Sequence, residues 1–147
     1  MRIALCSDEP YPIHDLIAAE IQKRRHEVVP FGSLITKKEE PWWIVAKEAA
    51  LSIYQGQCQE GIFLCWTGTG IAIAANKVSG IRAALCTDPE TAAGARTWNH
   101  ANVLALSNRL LTPELACAIL GAWFATPMDA RGQVGAFAVD SMGGLKK

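Results

Sequence analysis

Short apolar runs alternate with longer stretches along this chain, and the alternation predicts strands and helices in turn. The apolar runs are three to five residues long, the length of buried strands, and they lie at 3–6, 27–31, 62–64, 82–86 and 102–106. The first stretch between them carries Ile13, Leu16, Ile17 and Ile21 at helical spacing. Helices are predicted at 13–25, 42–55, 71–75, 88–95 and 113–125.

Five strand–helix repeats with short loops predict an α/β protein in which helices cover both faces of a parallel sheet. We therefore expect a three-layer, Rossmann-like fold with a five-stranded parallel sheet, formed by a single domain over residues 1–147. Thr112 precedes Pro113 and is predicted to cap the last long helix, and Asp88 or Thr87 is predicted to cap the helix before it. From Thr126 onward the chain is glycine-rich and weakly patterned, so residues 126–147 are expected to form a tail.

The stretch 61–77, GIFLCWTGTGIAIAANK, combines a strand, a glycine turn and the start of a helix. It places Cys65 at the carboxyl end of a strand, where open α/β sheets bind ligands. The turn at Thr67-Gly68-Thr69-Gly70 presents backbone N–H groups at the positive end of a helix dipole, which suits an anion. Neither the dinucleotide fingerprint nor a P-loop is present, because the third glycine and the Gly-Lys-Ser/Thr ending are missing.

Composition narrows the class of function. Fourteen basic residues balance fourteen acidic ones. The chain has no basic stripe with interleaved aromatic residues, so a nucleic-acid partner is not expected. No apolar run approaches the length of a membrane span, and the opening residues predict a strand rather than a signal segment. The five cysteines form no metal-ligand spacing, so no metal and no cofactor are expected, and a reducing cytoplasm is the predicted location.

The central stretch resembles the type B ribose-5-phosphate isomerase family, which includes galactose-6-phosphate isomerase. The likeness extends over roughly residues 1–131, from Asp8 to Asn99, Asn102–Leu104 and Arg109. Its most specific part is the pattern Gly61, Cys65, Thr67, Gly68, Gly70, Ala74–Lys77 and Gly80–Ala83.

The resemblance implies an aldose–ketose isomerase that moves a proton between adjacent carbons through an enediolate. The family's base matches Cys65, and the backbone of the Gly68–Gly70 turn, with Thr69 between them, holds the enediolate oxygen. Residues matching Thr67, Asn99 and Asp8 bind or polarise sugar hydroxyls, and arginines matching Arg109 and Arg131 bind phosphate. The family's sites lie between subunits, so the resemblance also implies a homodimer or tetramer whose C-terminal tail contacts the partner subunit.

Several residues depart from the family's pattern at positions that line its pocket. Glu9 replaces a histidine, Trp66 replaces a glycine, and Trp98 stands at the ring-opening histidine. A family tyrosine falls on Glu40, and a second phosphate arginine falls on Gly135. We therefore expect an altered substrate, with weaker preference for phosphate esters.

The lost ring-opening histidine suggests either a substrate that needs no opening, such as a tetrose, or a transfer of that role to His100. His14 is expected at the surface. Two alternatives remain: a non-catalytic or partner subunit of a hetero-oligomeric isomerase, and an epimerase or tautomerase acting on a non-phosphorylated carbonyl compound.

Overall fold

A computed structural model describes residues 1–143 and confirms the predicted α/β class. The strands are β1 (Arg2–Ser7), β2 (Glu27–Gly32), β3 (Glu60–Cys65), β4 (Ala83–Leu85) and β5 (Val103–Ser107). The helices are α1 (Ile13–Lys23), α2 (Ser33–Thr36), α3 (Trp42–Tyr54), α4 (Thr69–Ala75), α5 (Pro89–Asn99), α6 (Pro113–Ala125) and α7 (Ala130–Ser141).

The five strands form one parallel sheet in the order β2-β1-β3-β5-β4. Alternate residues of each strand point to opposite faces, so the sheet divides the core in two. Ile3, Ile62 and Leu104 face α1, α5 and α6. Ala4, Phe63 and Val103 face α3 and α4. All strands therefore end at one edge of the sheet, the carboxyl edge, and begin at the opposite amino edge.

Two helix starts form as the sequence predicts. The Asp88 carboxylate accepts a hydrogen bond from the backbone N–H of Thr91, and the Thr112 hydroxyl accepts one from that of Leu115. In both helices proline occupies the first turn, where its missing N–H has no partner to lose.

The region predicted as a weakly patterned tail contains a helix, α7, and residues 144–147 of that tail lie outside the described residues. Asp129 caps α7 through the N–H of Arg131. The helix packs on α5 through small residues: a Cβ at Gly132 would lie 2.6 Å from the carbonyl oxygen of Thr97. The buried positions of this helix are Gly132 and Ala136, whereas the larger apolar residues Val134 and Phe137 are exposed. Hydrophobic periodicity therefore gave no signal for this helix.

The end predicted for one helix is too early. The helix predicted at 88–95 continues to Asn99 and ends where His100 adopts the left-handed conformation, with φ of 48°. Within residues 1–143, no helix combines the length and the apolar character that a bilayer crossing needs.

Candidate active site

The carboxyl ends of β1 and β3 lie side by side, and the chain leaves them toward opposite faces of the sheet. α1 follows β1 on one face, and α4 follows β3 on the other. Such a switch point opens a crevice between the two strand ends, which is where parallel α/β sheets bind ligands. The predicted residues Asp8, Glu9 and Cys65 all lie at this crevice, because they end β1 and β3 or directly follow them.

Cys65 ends β3 with its side chain 5% exposed, and the glycine turn follows it. Gly68 has φ of 76°, and a Cβ there would lie 2.9 Å from the backbone of Leu106, so the turn lies against β5. In the described part of the chain, the N–H groups of Gly68 and Gly70 donate to no acceptor. The hydroxyls of Thr67 and Thr69 are 2.6 Å apart and exposed. One strand–turn segment thus carries a thiol, two unpaired N–H donors and a hydroxyl pair.

Two other thiols near strand ends, Cys6 and Cys86, are held in the protonated form by burial. Burial raises the pKa of Cys86 to about 11, with a further contribution from the charge of Asp88. Burial also raises the pKa of Cys6 well above its ordinary value. Both therefore remain protonated near neutral pH.

The loop after β1 carries two carboxylates with different environments. Asp8 is 8% exposed, and its Oδ1 has no hydrogen-bond partner among the described residues. Burial, together with the charge of Glu9, raises the pKa of Asp8 to about 6. The Glu9 carboxylate accepts a hydrogen bond of 2.6 Å from the Tyr11 hydroxyl. This bond, which stabilises the neutral phenol, raises the pKa of Tyr11 to about 12.

Aromatic side chains lie beside the crevice. Tyr11 stacks on the predicted Trp66, with ring centroids 6.4 Å apart. Trp42, at the start of α3, lies against the glycine turn, since a Cβ at Gly70 would be 3.2 Å from its indole ring. No motif in the sequence indicated Tyr11 or Trp42 as a site residue. Tyr11 lies two residues after Glu9, and that proximity was an available signal.

Arg109 follows β5 and is held beside the crevice by its backbone. Its N–H donates to the carbonyl of Trp66 at 3.2 Å, and its side chain is exposed. Within residues 1–143 the Arg109 guanidinium forms no ion pair. It is therefore available to an anionic ligand.

The remaining predicted residues, Trp98, Asn99, His100 and Arg131, lie toward the amino edge. Val103 begins β5 opposite Gly61, and Ser107 ends it opposite Cys65. Val103 and Ser107 are four residues apart, which is a rise of about 13 Å along the strand. His100 comes before Val103 in the chain, on the side away from Cys65. Within a single copy of the chain, these residues therefore lie away from Cys65.

Local contacts fix two members of this amino-edge group. His100 Nε2 lies 2.5 Å from the carbonyl oxygen of Asp129, and the His100 carbonyl accepts from Arg82. The Arg131 guanidinium is bidentate to the Asp129 carboxylate. A cavity of about 640 Å³ lies beside them and is lined by Arg82, Trp98, Asn99, Val139 and Met142.

His14 is not at the surface as predicted; it is buried at the carboxyl edge, 5% exposed. Its Nε2 lies 2.9 Å from Oδ1 of Asn108, a residue that no sequence motif indicated. Burial lowers the pKa of His14, which favours the neutral ring. Within residues 1–143, no three His, Cys, Asp or Glu side chains gather as a metal site would require.

The chain is similar to known proteins in both sequence and fold. The family model described as ribose/galactose isomerase matches residues 3–137. D-erythrulose-4-phosphate isomerase of Pectobacterium atrosepticum is 49% identical over 88 residues, which are 60% of this chain and 58% of that protein. Ribose-5-phosphate isomerase B of Escherichia coli is 37% identical over 80% of this chain and 78% of that protein. The structure of Clostridium thermocellum ribose-5-phosphate isomerase B superimposes with a TM-score of 0.89 at 35% identity, covering 97% of both chains.

Proposed function

The chain belongs to the ribose/galactose isomerase family, and from that premise we propose that it is an aldose–ketose isomerase of a four-carbon sugar phosphate. The reaction would interconvert a 2-ketotetrose 4-phosphate and the corresponding aldotetrose 4-phosphate. The observation that carries the proposal is the Cys65 thiol at the crevice, followed in the chain by the unpaired N–H groups of Gly68 and Gly70.

The proposed mechanism is a proton transfer through an enediolate. The Cys65 thiolate takes a proton from C1 of the ketose, and the electron pair of the C–H bond forms the C1–C2 double bond. The carbonyl oxygen on C2 becomes negative, and the N–H groups of Gly68 and Gly70 stabilise that charge where it develops. The thiol then returns the proton to C2 while the hydroxyl proton moves from O1 to O2. The Thr67 and Thr69 hydroxyls are suited to carry that second proton.

The choice of a four-carbon substrate is supported by Trp98. In the family this position holds the histidine that opens the sugar ring, and an indole cannot perform that acid–base step. A tetrose 4-phosphate has its O4 esterified, so it cannot close into a five-membered ring and needs no opening. The similarity to an erythrulose-4-phosphate isomerase is consistent with that choice.

Arg109 is the proposed phosphate anchor. It is exposed and has no ion-pair partner within the described residues, whereas Arg131 would first have to leave Asp129. Glu9 opposes a dianion in the same crevice, although the Tyr11 hydroxyl already donates to its carboxylate. We therefore expect a phosphate preference weaker than that of a type B ribose-5-phosphate isomerase.

We further propose that two copies of the chain complete each site. The carboxyl-edge group and the amino-edge group are separated within one chain, and a second copy could bring its Trp98 and Asn99 to the first copy's crevice. Exposed apolar side chains on the amino-edge side support such an interface: Trp98 is 63% exposed and Phe137 is 66% exposed. Sedimentation equilibrium would measure the assembly, and a monomer that retains full activity would contradict it.

The test of the proposed function is turnover of D-erythrulose 4-phosphate in heavy water, with ribose 5-phosphate and free erythrulose as alternative substrates. The wild type should form the aldose and incorporate deuterium next to the carbonyl. Cys65→Ala should abolish both, and Cys65→Ser should be nearly as poor because a hydroxyl ionises far less readily than a thiol. Cys86→Ala is the matched control, since it removes another buried thiol near the end of a strand.

Near-normal turnover in Cys65→Ala would exclude the thiolate mechanism. Deuterium uptake without aldose formation would indicate an epimerase or tautomerase instead. Absence of uptake with every sugar would point to a non-catalytic subunit.

A further inference from the structure

Four hydrogen bonds form a continuous chain beneath the loop that carries Asp8 and Glu9. The Tyr11 N–H reaches His14 Nδ1 at 3.4 Å, and His14 Nε2 lies 2.9 Å from Asn108 Oδ1. The Asn108 amide nitrogen donates to Ser7 Oγ at 3.1 Å, and the Ser7 hydroxyl donates to the carbonyl of Glu9 at 2.8 Å. The chain begins and ends in the same loop, which it therefore fastens at two points.

Only one arrangement of protons satisfies every member of this chain. A backbone N–H can only donate, so Nδ1 of His14 must be the unprotonated nitrogen. Nε2 then carries the hydrogen and donates to the Asn108 carbonyl oxygen, which leaves the Asn108 amide hydrogens for Ser7. His14 is thereby fixed as the neutral Nε2–H tautomer, with both ring nitrogens engaged. It cannot also serve as a base toward a substrate.

The chain connects the loop to the segment that holds Cys65. Asn108 follows β5, and its backbone N–H donates to the carbonyl of Cys65 at 2.9 Å. Ser7, His14 and Asn108 are 0%, 5% and 7% exposed, so water cannot replace a lost partner at little cost. The same three side chains thus join the ends of β1 and β5 to the start of α1.

We propose that His14 and Asn108 are positioning residues that hold the Asp8–Tyr11 loop at a fixed place relative to Cys65. This inference rests on the proposed function, because it assigns the loop to the same reaction. Apart from this chain, the backbone bond that fixes the loop to a neighbouring segment runs from the Glu40 N–H to the Asp8 carbonyl at 2.8 Å. Without the chain, the loop that carries Asp8 and Glu9 would be freer to move relative to Cys65.

The kinetic test compares His14→Phe, which keeps a flat ring but no nitrogen, with His14→Gln, which keeps an amide donor toward Asn108. His14→Phe should lower kcat/KM for D-erythrulose 4-phosphate by about tenfold or more, since small misplacements of reacting groups have large effects on rate. His14→Gln should recover a substantial part of that loss. His26→Phe is the control, because the His26 ring packs at a tilt against Phe124, away from the crevice.

Asn108→Leu should lower kcat/KM to the same degree as His14→Phe, and the double variant should be little worse than either one, because both break the same chain. Fully multiplicative losses, or equal losses in His14→Phe and His26→Phe, would overturn the proposal.

Two measurements test the chain without using turnover, so failure of the proposed function can be told apart from failure of this inference. Nitrogen chemical shifts of His14 at neutral pH should report the Nε2–H tautomer; a charged ring or the other tautomer would overturn the proposal. The carboxyl titration of Asp8 should move from about 6 toward its ordinary value in His14→Phe, because the loosened loop admits water. An unmoved Asp8 titration would show that the chain does not hold the loop.

Discussion

Replacing Gly68 by alanine tests whether the glycine turn is held in place by its contact with β5. At φ of 76°, any side chain is strained, and the added Cβ would lie 2.9 Å from the carbonyl carbon and oxygen of Leu106. It would also lie 2.5 Å from Leu85 Cδ1, which can rotate away. The β5 backbone in the sheet cannot yield as easily, so the turn itself must move.

Gly56 provides the matched control. Its φ is 74°, nearly that of Gly68, but a Cβ at Gly56 would meet no atom within 4 Å. Gly56→Ala therefore measures the strain of the left-handed conformation alone, about 1 kcal/mol. Gly68→Ala adds the cost of forcing an atom into a packed space, about 1–3 kcal/mol. We expect melting temperatures lower by about 4 °C for Gly56→Ala and about 12 °C for Gly68→Ala.

Activity should separate the two variants further. The 2.9 Å separation is 0.5 Å short of the 3.4 Å at which ordinary contact begins, so the turn must shift by that amount. A shift of that size in the oxyanion donors should lower kcat by about tenfold, while Gly56→Ala keeps wild-type turnover. Thermal unfolding by circular dichroism and steady-state kinetics at equal protein concentration measure both effects. Equal losses of stability and full activity in Gly68→Ala would refute the claim that β5 fixes this turn.

Two further predictions concern the carboxylates of the crevice. Glu9→His should shift preference from free erythrulose toward its 4-phosphate by roughly tenfold, with Glu9→Gln between, because a charge that repels the dianion is removed; a competition assay that finds no shift would place Glu9 away from the phosphate. Asp8 keeps its proton to about pH 6 in the folded protein but loses it near 3.8 when unfolded, so the free energy of unfolding should fall as pH rises from about 4 to about 6 and stay lower above that. Urea unfolding at pH 4.5 and 7.5 checks this, and Asp8→Asn should remove that part of the change; an identical pH response in wild type and variant would contradict the buried carboxylate.

The sequence predicted the sheet because its signals are local. Each strand is a short apolar run, and the caps at Asp88 and Thr112 depend on residues within three positions of them. α7 was missed because its contact with α5 uses Gly132 and Ala136, which carry no hydrophobic pattern. A close helix–helix approach through small residues is a property of two surfaces, and one helix's sequence does not reveal it.

The candidate site could be proposed from the sequence where its residues lie in one stretch. Cys65 through Gly70 could be selected from their spacing and their resemblance to a family, and the fold places them at the crevice. The partnership of His14 with Asn108 joins residues 94 positions apart, so it depends on the order in which strands pair. The distance between Cys65 and His100 likewise follows from strand register, which the sequence alone does not set.

The location of Cys65 and Asn99 at opposite edges of the sheet has a genetic consequence if two copies share their sites. A Cys65→Ala chain and an Asn99→Ala chain would each be inactive, because every site would lack one of the two side chains. Subunit exchange would form mixed dimers in which one site carries both lesions and the other carries neither. With random exchange, about a quarter of all sites would become intact, so two dead alleles would complement each other. Conversely, in a dimer of one variant chain and one wild-type chain, one of the two sites would contain the substituted side chain and would be inactive.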